Sequence, residues 1–137
     1  GLTHQELARH LRVLAAVGST VWIDDEARMD GVTALSGSGP AYVFLFIEAL
    51  QQAAAELGFT PEQGRQLAIE TVQGAAALAA QSSEQAAVLR ERVTSKGGTT
   101  EAALRTMSEA GVKDGIVAGV KAAEARGREL GKLLGAG

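Results

Sequence analysis

Ser36-Gly37-Ser38-Gly39-Pro40-Ala41-Tyr42-Val43-Phe44-Leu45-Phe46-Ile47 is the stretch on which the reading of the fold turns. A Ser/Gly loop runs into a proline, and an apolar block follows. Pro40 fits the first turn of a helix, where its missing N–H leaves no bond unmade. The spacing predicts a long helix from there to about Leu57, with Gly58 as the C′ residue that stops it. The block from Tyr42 to Ile47 is apolar on every side of that helix, so neighbouring helices must enclose it completely. A single chain of 137 residues struggles to surround one helix on all sides. An interlocked homodimer is therefore expected.

The segments on either side also read as helices. Thr60-Pro61-Glu62-Gln63 starts one, with Thr60 as the cap and Pro61 at the first position. It should run to about Gln81, and its Gly64, Ala68, Thr71, Ala75 and Ala79 would let another backbone come close. Ser83 is expected to cap a shorter helix to about Arg92. A further helix covers Thr100 to Ala110, Gly111 breaks it, and Val112 to Leu134 forms the last. There Ile116, Val120, Ala123, Gly127, Leu130 and Leu134 alternate spacings of four and three, a heptad-like stripe. Near the start, Leu7, Leu11 and Leu14 predict a helix over Thr3 to Val17, with Thr3 and Glu6 as a capping box and Gly18 as its end. Ser19 to Asp24 reads as a short strand, and Glu26 to Asp30 as a helical turn before Gly31. The expected fold is all-α: one helical domain over residues 1–137, a bundle of five or six helices with at most one small strand.

Composition narrows the function classes. Hydrophobic residues are 46% and charged residues 21%, ordinary for a globular domain, and aromatics are only 4%. A net charge of −3 lacks the basic face of a nucleic-acid binder. No apolar run reaches the roughly 18 residues of a membrane span, and no signal peptide is visible. With no cysteine there is no disulfide, thiol nucleophile or thiolate metal site. Cytoplasmic localisation is the expectation, without nucleic acid or membrane as partner.

The stretch with most chemical promise is Val93-Thr94-Ser95-Lys96-Gly97-Gly98-Thr99-Thr100-Glu101. Adjacent glycines let a ligand approach backbone N–H groups that no Cβ screens. The helix start that follows adds unsatisfied N–H groups and partial positive charge. Together they suit a small anion such as a carboxylate. The plain alternative is a helix–helix connection with a capping threonine, and the residues alone leave the two open. Other constellations fail. Gly37-Ser38-Gly39 has Tyr42 at the third glycine position and no βαβ unit around it, so it is no dinucleotide loop. Lys96 precedes its glycines, so the second loop is no Walker A. His4 and His10 do not share a helix face as i,i+4 ligands would. Asp24, Asp25, Glu26 and Asp30 lack the alternation and central glycine of a calcium loop. Trp22 reads as packing. No metal site is expected.

Two segments carry a resemblance: Val32-Thr33-Ala34-Leu35-Ser36-Gly37-Ser38-Gly39-Pro40-Ala41-Tyr42-Val43-Phe44 and Val93-Thr94-Ser95-Lys96-Gly97-Gly98-Thr99-Thr100. With Trp22-Ile23-Asp24-Asp25-Glu26 ahead of them and the helix lengths between, the chain resembles the carboxy-terminal half of pyrroline-5-carboxylate reductase. That family reduces 1-pyrroline-5-carboxylate to L-proline with NADPH or NADH, the last step of proline biosynthesis. The resemblance implies a dimerisation and substrate-binding domain, with dimers that in many members assemble further, often into decamers. It places the dinucleotide on an amino-terminal Rossmann domain that this chain is expected to lack, so the chain alone should be inactive.

Carried over residue by residue, the resemblance gives backbone N–H groups near Gly97, Gly98 and Thr99 to the substrate carboxylate, with Ser95 shaping that contact. Thr100 matches the threonine whose hydroxyl reaches the ring nitrogen, and is the expected catalytic residue. Hydride would pass from nicotinamide C4 to C5 of the imine. Lys96 stands where many members have proline, so the loop is less restrained in φ. Two alternatives remain at this point, a small-carboxylate binding module without chemistry and a non-catalytic helical oligomerisation domain.

Overall fold

The computed structural model describes the backbone of Leu11–Leu14 and Thr20–Ile23 together with residues 28–135. Strands β1 (Leu11–Leu14) and β2 (Thr20–Ile23) form an antiparallel pair, with Leu11 opposite Ile23 and Leu14 opposite Thr20. Then come α1 (Met29–Val32), a π-helical turn over Thr33–Gly37, α2 (Gly39–Glu56), α3 (Pro61–Gln81), α4 (Ala86–Arg92), α5 (Thr99–Glu109) and α6 (Val112–Gly135). Five helices of seven residues or more dominate the described residues, as an all-α reading requires. Contacts gather the chain into two units, Gly1–Tyr42 with Asp114–Gly137, and Val43–Lys113.

In the first unit the expected strand forms, but Leu11–Leu14 is its partner strand and not part of a helix. Thr20, Val21 and Ile23 are β-branched and favour extended backbone. Their free edge offers a ladder, which competes with the leucine periodicity upstream. The rest of the predicted first helix, including its capping box, lies outside the described residues. Gly31 does not end the helical turn; it sits inside α1. The expected Ser/Gly loop is also partly helical. The Ser38 N–H donates to the Thr33 carbonyl at 2.8 Å, a wider π-type bond, and the Ser36 hydroxyl donates to the Val32 carbonyl at 3.2 Å. The Tyr42 hydroxyl then donates to the Ala34 carbonyl at 2.8 Å, tying the start of α2 to that turn. In α6, a Cβ added at Gly127 would lie 3.1 Å from Asp30 Oδ1, so the glycine lets α1 come close.

The second unit follows its sequence signals closely. Helix α2 ends in a full Schellman motif: Phe59 N–H donates to the Ala54 carbonyl at 3.0 Å and Gly58 N–H to that of Ala55 at 3.1 Å. Gly58 has φ +95°, which a glycine adopts without a Cβ penalty. Thr60 is the expected cap, and Gln63 answers it to complete a capping box, with bonds of 3.2 and 3.0 Å. Helices α2 and α3 approach through small residues, and a Cβ added at Gly64 would lie 3.1 Å from Ala54 Cβ. Helix α4 departs from expectation. Gln85 is its N-cap and makes no side-chain cap, whereas the Ser82 hydroxyl accepts the Glu84 N–H at 3.0 Å. This is a local serine turn two residues long, ahead of the helix, and not a helix cap. Arg92 closes this segment on Glu84 at 2.8 Å.

Among the described residues the buried apolar side chains are all alanine: Ala34, Ala54 and Ala68. Phe44 and Leu45, in the apolar block of α2, are each 66% exposed, and Leu134 of the α6 stripe is 85% exposed. The helical run Met29–Glu56 is long and apolar enough, by length and composition, to cross a membrane. A core helix of an assembly passes the same test, and exposed apolar side chains on this scale mark a surface that something else covers.

Candidate functional site: a glycine-hinged turn at a helix start

All five residues singled out as a site, Ser95, Gly97, Gly98, Thr99 and Thr100, lie in the second unit, on the connection from α4 to α5 and the first turn of α5. Thr94 closes α4 by donating its N–H to the Glu91 carbonyl at 3.1 Å. Ser95-Lys96-Gly97-Gly98 then forms a tight turn in which the Gly98 N–H donates to the Ser95 carbonyl at 3.0 Å. Gly97 occupies its third position with φ +76°, and no non-glycine residue described has positive φ. That combination is the signature of a type II turn, which needs glycine at the third position and favours proline at the second, where Lys96 stands. Gly98 matters for another reason. Its backbone is extended (φ −92°), but an added Cβ would come within 3.3 Å of the Ser95 carbonyl oxygen.

Gly98 is also the N-cap of α5, and having no side chain it leaves the helix start uncapped. The expected capping threonine is not a cap; Thr99 is already the first residue of the helix. Counting hydrogen bonds shows what this start offers. The Gly98 amide is spent on Ser95, and the Gly97 amide on Glu101 Oε1 at 3.3 Å. The first bond back from the helix is Ala102 N–H to the Gly98 carbonyl at 3.3 Å. Among the described residues, the amides of Thr99, Thr100 and Glu101 have no acceptor, and the Thr100 hydroxyl has no partner. Two adjacent N–H groups at the positive end of a helix form a donor pair for an anion. A half-buried hydroxyl beside them can donate to or accept from a second polar group on the same ligand.

Glu101 and Arg105 were not singled out from sequence. Arg105 pairs with Glu101 Oε1 at 3.2 Å, one turn further along α5. The signal was present as a glutamate at the third helical position, which commonly reaches back to a free amide. Of the other residues weighed for chemistry, Asp30 is described and packs beside Gly127. His4, His10, Asp24, Asp25 and Glu26 lie outside the described residues, as does the side chain of Trp22.

By class, the described residues form a helical domain with exposed apolar side chains on α2 and α6 and a donor-bearing turn between α4 and α5. A family profile described as pyrroline-5-carboxylate reductase dimerisation matches residues 26–130. The chain belongs to the pyrroline-5-carboxylate reductase family. It is 44% identical over 124 residues to the pyrroline-5-carboxylate reductase of Pseudomonas aeruginosa, covering 90% of this chain and 45% of that protein. Among solved structures, a pyrroline-5-carboxylate reductase from Coxiella burnetii matches with TM-score 0.80 and 43% identity, over 84% of this chain and 43% of that one. The NADP-bound pyrroline carboxylate reductase of Plasmodium falciparum matches with TM-score 0.76 and 33% identity, over 78% and 42% of the respective chains. The chain thus spans about half the length of the curated relatives it matches.

Proposed function

We propose that this chain is the substrate-binding and dimerisation half of an NAD(P)H-dependent reductase that converts 1-pyrroline-5-carboxylate to L-proline. The observation that carries the reading is the open donor set of Thr99 and Thr100 on a glycine-hinged turn. In this reading the substrate carboxylate lies on the two amides. Gly97 supplies the left-handed turn, and Gly98 keeps the Ser95 carbonyl close by having no Cβ. The Thr100 hydroxyl hydrogen-bonds the ring nitrogen, which goes from imine to amine. The chain's contribution to rate is then placement of a bound imine in one orientation.

The Gly37-Ser38-Gly39 loop does not fit the pyrophosphate of a dinucleotide. Gly37-Ser38-Gly39 lies between helical segments, not between a strand and a helix, so it lacks the geometry of a pyrophosphate cradle. The reading assigns the nicotinamide mainly to the part of the reductase outside the half that this chain matches. It also assigns the exposed faces of α2 and α6 to a second copy of the chain, which favours a homodimer over a membrane as their cover.

Titration of L-proline into the chain tests the site. Binding that is lost on Gly98→Val, with the circular dichroism spectrum retained, supports the carboxylate reading. Failure of the unmodified chain to bind at millimolar proline returns the turn to a mere connection, and the chain to a purely oligomerising domain.

A further inference from the structure

The Gly97 amide is the one donor of the turn that a side chain has already claimed. Glu101 Oε1 accepts it at 3.3 Å and is braced at 3.2 Å by Arg105. We propose that Glu101 is a positioning residue of the carboxylate site, holding the glycine turn in its left-handed form through the Gly97 amide. This rests on the substrate reading above.

The turn needs such a hold. Gly97 reaches its φ of +76° in a residue that visits positive and negative φ about equally. The turn's own bond, Gly98 N–H to the Ser95 carbonyl, is the other restraint among the described residues. Lys96 gives no fixed φ at the second position, as a proline would. Glu101 lies in the first turn of α5, a rigid element, and its two methylenes carry the carboxylate back past the N-cap to Gly97. Arg105 shares the same oxygen, which draws the carboxylate's charge along the helix and away from an incoming anion. As an exposed i,i+4 pair the two contribute little to stability. The effect of Glu101 is on where the turn sits, and so on whether the Thr99 and Thr100 amides converge.

Three variants of the chain separate reach from charge: Glu101→Gln, Glu101→Asp and Glu101→Ala. L-proline affinity is read by calorimetry, and hydrogen exchange at the Gly97 amide by NMR without ligand. Glutamine keeps an acceptor at full reach, so its affinity stays within about threefold of the parent. Aspartate and alanine lose the contact, so affinity falls about tenfold, as for one hydrogen bond, and Gly97 exchanges faster. A role confined to the helix dipole gives the opposite order, with aspartate near the parent and glutamine impaired; that order overturns the proposal. Equal affinity in all four proteins also overturns it, while leaving the substrate reading intact. If the unmodified chain binds no proline, the substrate reading fails, and unchanged Gly97 exchange in the alanine variant removes the Glu101 contact as well.

Discussion

Replacing Phe44 with alanine should break the dimer before it breaks the helix. Phe44 is 66% exposed in the single chain, so the isolated fold barely depends on it. Fully burying such a side chain stabilises by about 1.5–3 kcal/mol, and two thirds of that is about 1–2 kcal/mol. In a two-fold dimer the same surface is used twice, so Phe44→Ala should cost roughly 2–4 kcal/mol of association. That corresponds to a dissociation constant raised between about 30-fold and 1000-fold. Sedimentation equilibrium across a concentration series measures it directly, and circular dichroism at the same concentrations checks the helix content. A dissociation constant within threefold of the parent, with unchanged helicity, would show that the apolar block of α2 is not covered by a second copy. A parent chain that stays monomeric at micromolar concentration would refute the reasoning at its root.

Three other substitutions test the local claims. Lys96→Pro should stabilise the turn by about 0.4–1 kcal/mol, because proline pre-sets the second position of a type II turn. A melting temperature lowered by this change would contradict the turn assignment. Gly64→Val should destabilise by about 1–3 kcal/mol, since the approach of α3 to α2 leaves no room for a branched side chain; a denaturant midpoint equal to the parent's would mean the helices are free to separate. In the intact reductase, Thr100→Ala should lower kcat/KM about tenfold for the loss of one hydroxyl hydrogen bond. An unchanged kcat/KM takes Thr100 out of the mechanism.

The parts of the fold that were legible in the sequence are those decided within a few residues. Thr60 and Gln63 cap each other across three positions, and Gly58 and Gly111 each reverse the chain at positive φ. Such features carry their own geometry in the residue type. The Gly97-Gly98 turn belongs to the same group, since its positive φ is carried by the glycine itself. What was not legible depends on a partner elsewhere in the chain. Leu11–Leu14 has a helical leucine spacing, and its pairing with Thr20–Ile23 makes it a strand. The π turn before α2 is tied down by the Tyr42 hydroxyl, eight residues from the carbonyl it meets. Helix α4 starts after Gln85, without a side-chain cap, while a Ser82–Glu84 turn precedes it. Glu101 reads in sequence as an ordinary helix-start acid, which hides its longer reach to Gly97.

That alanines are the only buried apolar side chains among the described residues has a consequence for the molecule in a mixed population. If the apolar cover of each copy comes from another copy, acquiring a stable core is a second-order process. Melting temperature should then climb with protein concentration, and newly made chains must meet before they are safe from proteases. A damaged copy would also do more than fail by itself. By pairing with a sound one it would remove that copy from service, so a defect in α2 or α6 would spread to partners that carry no defect of their own.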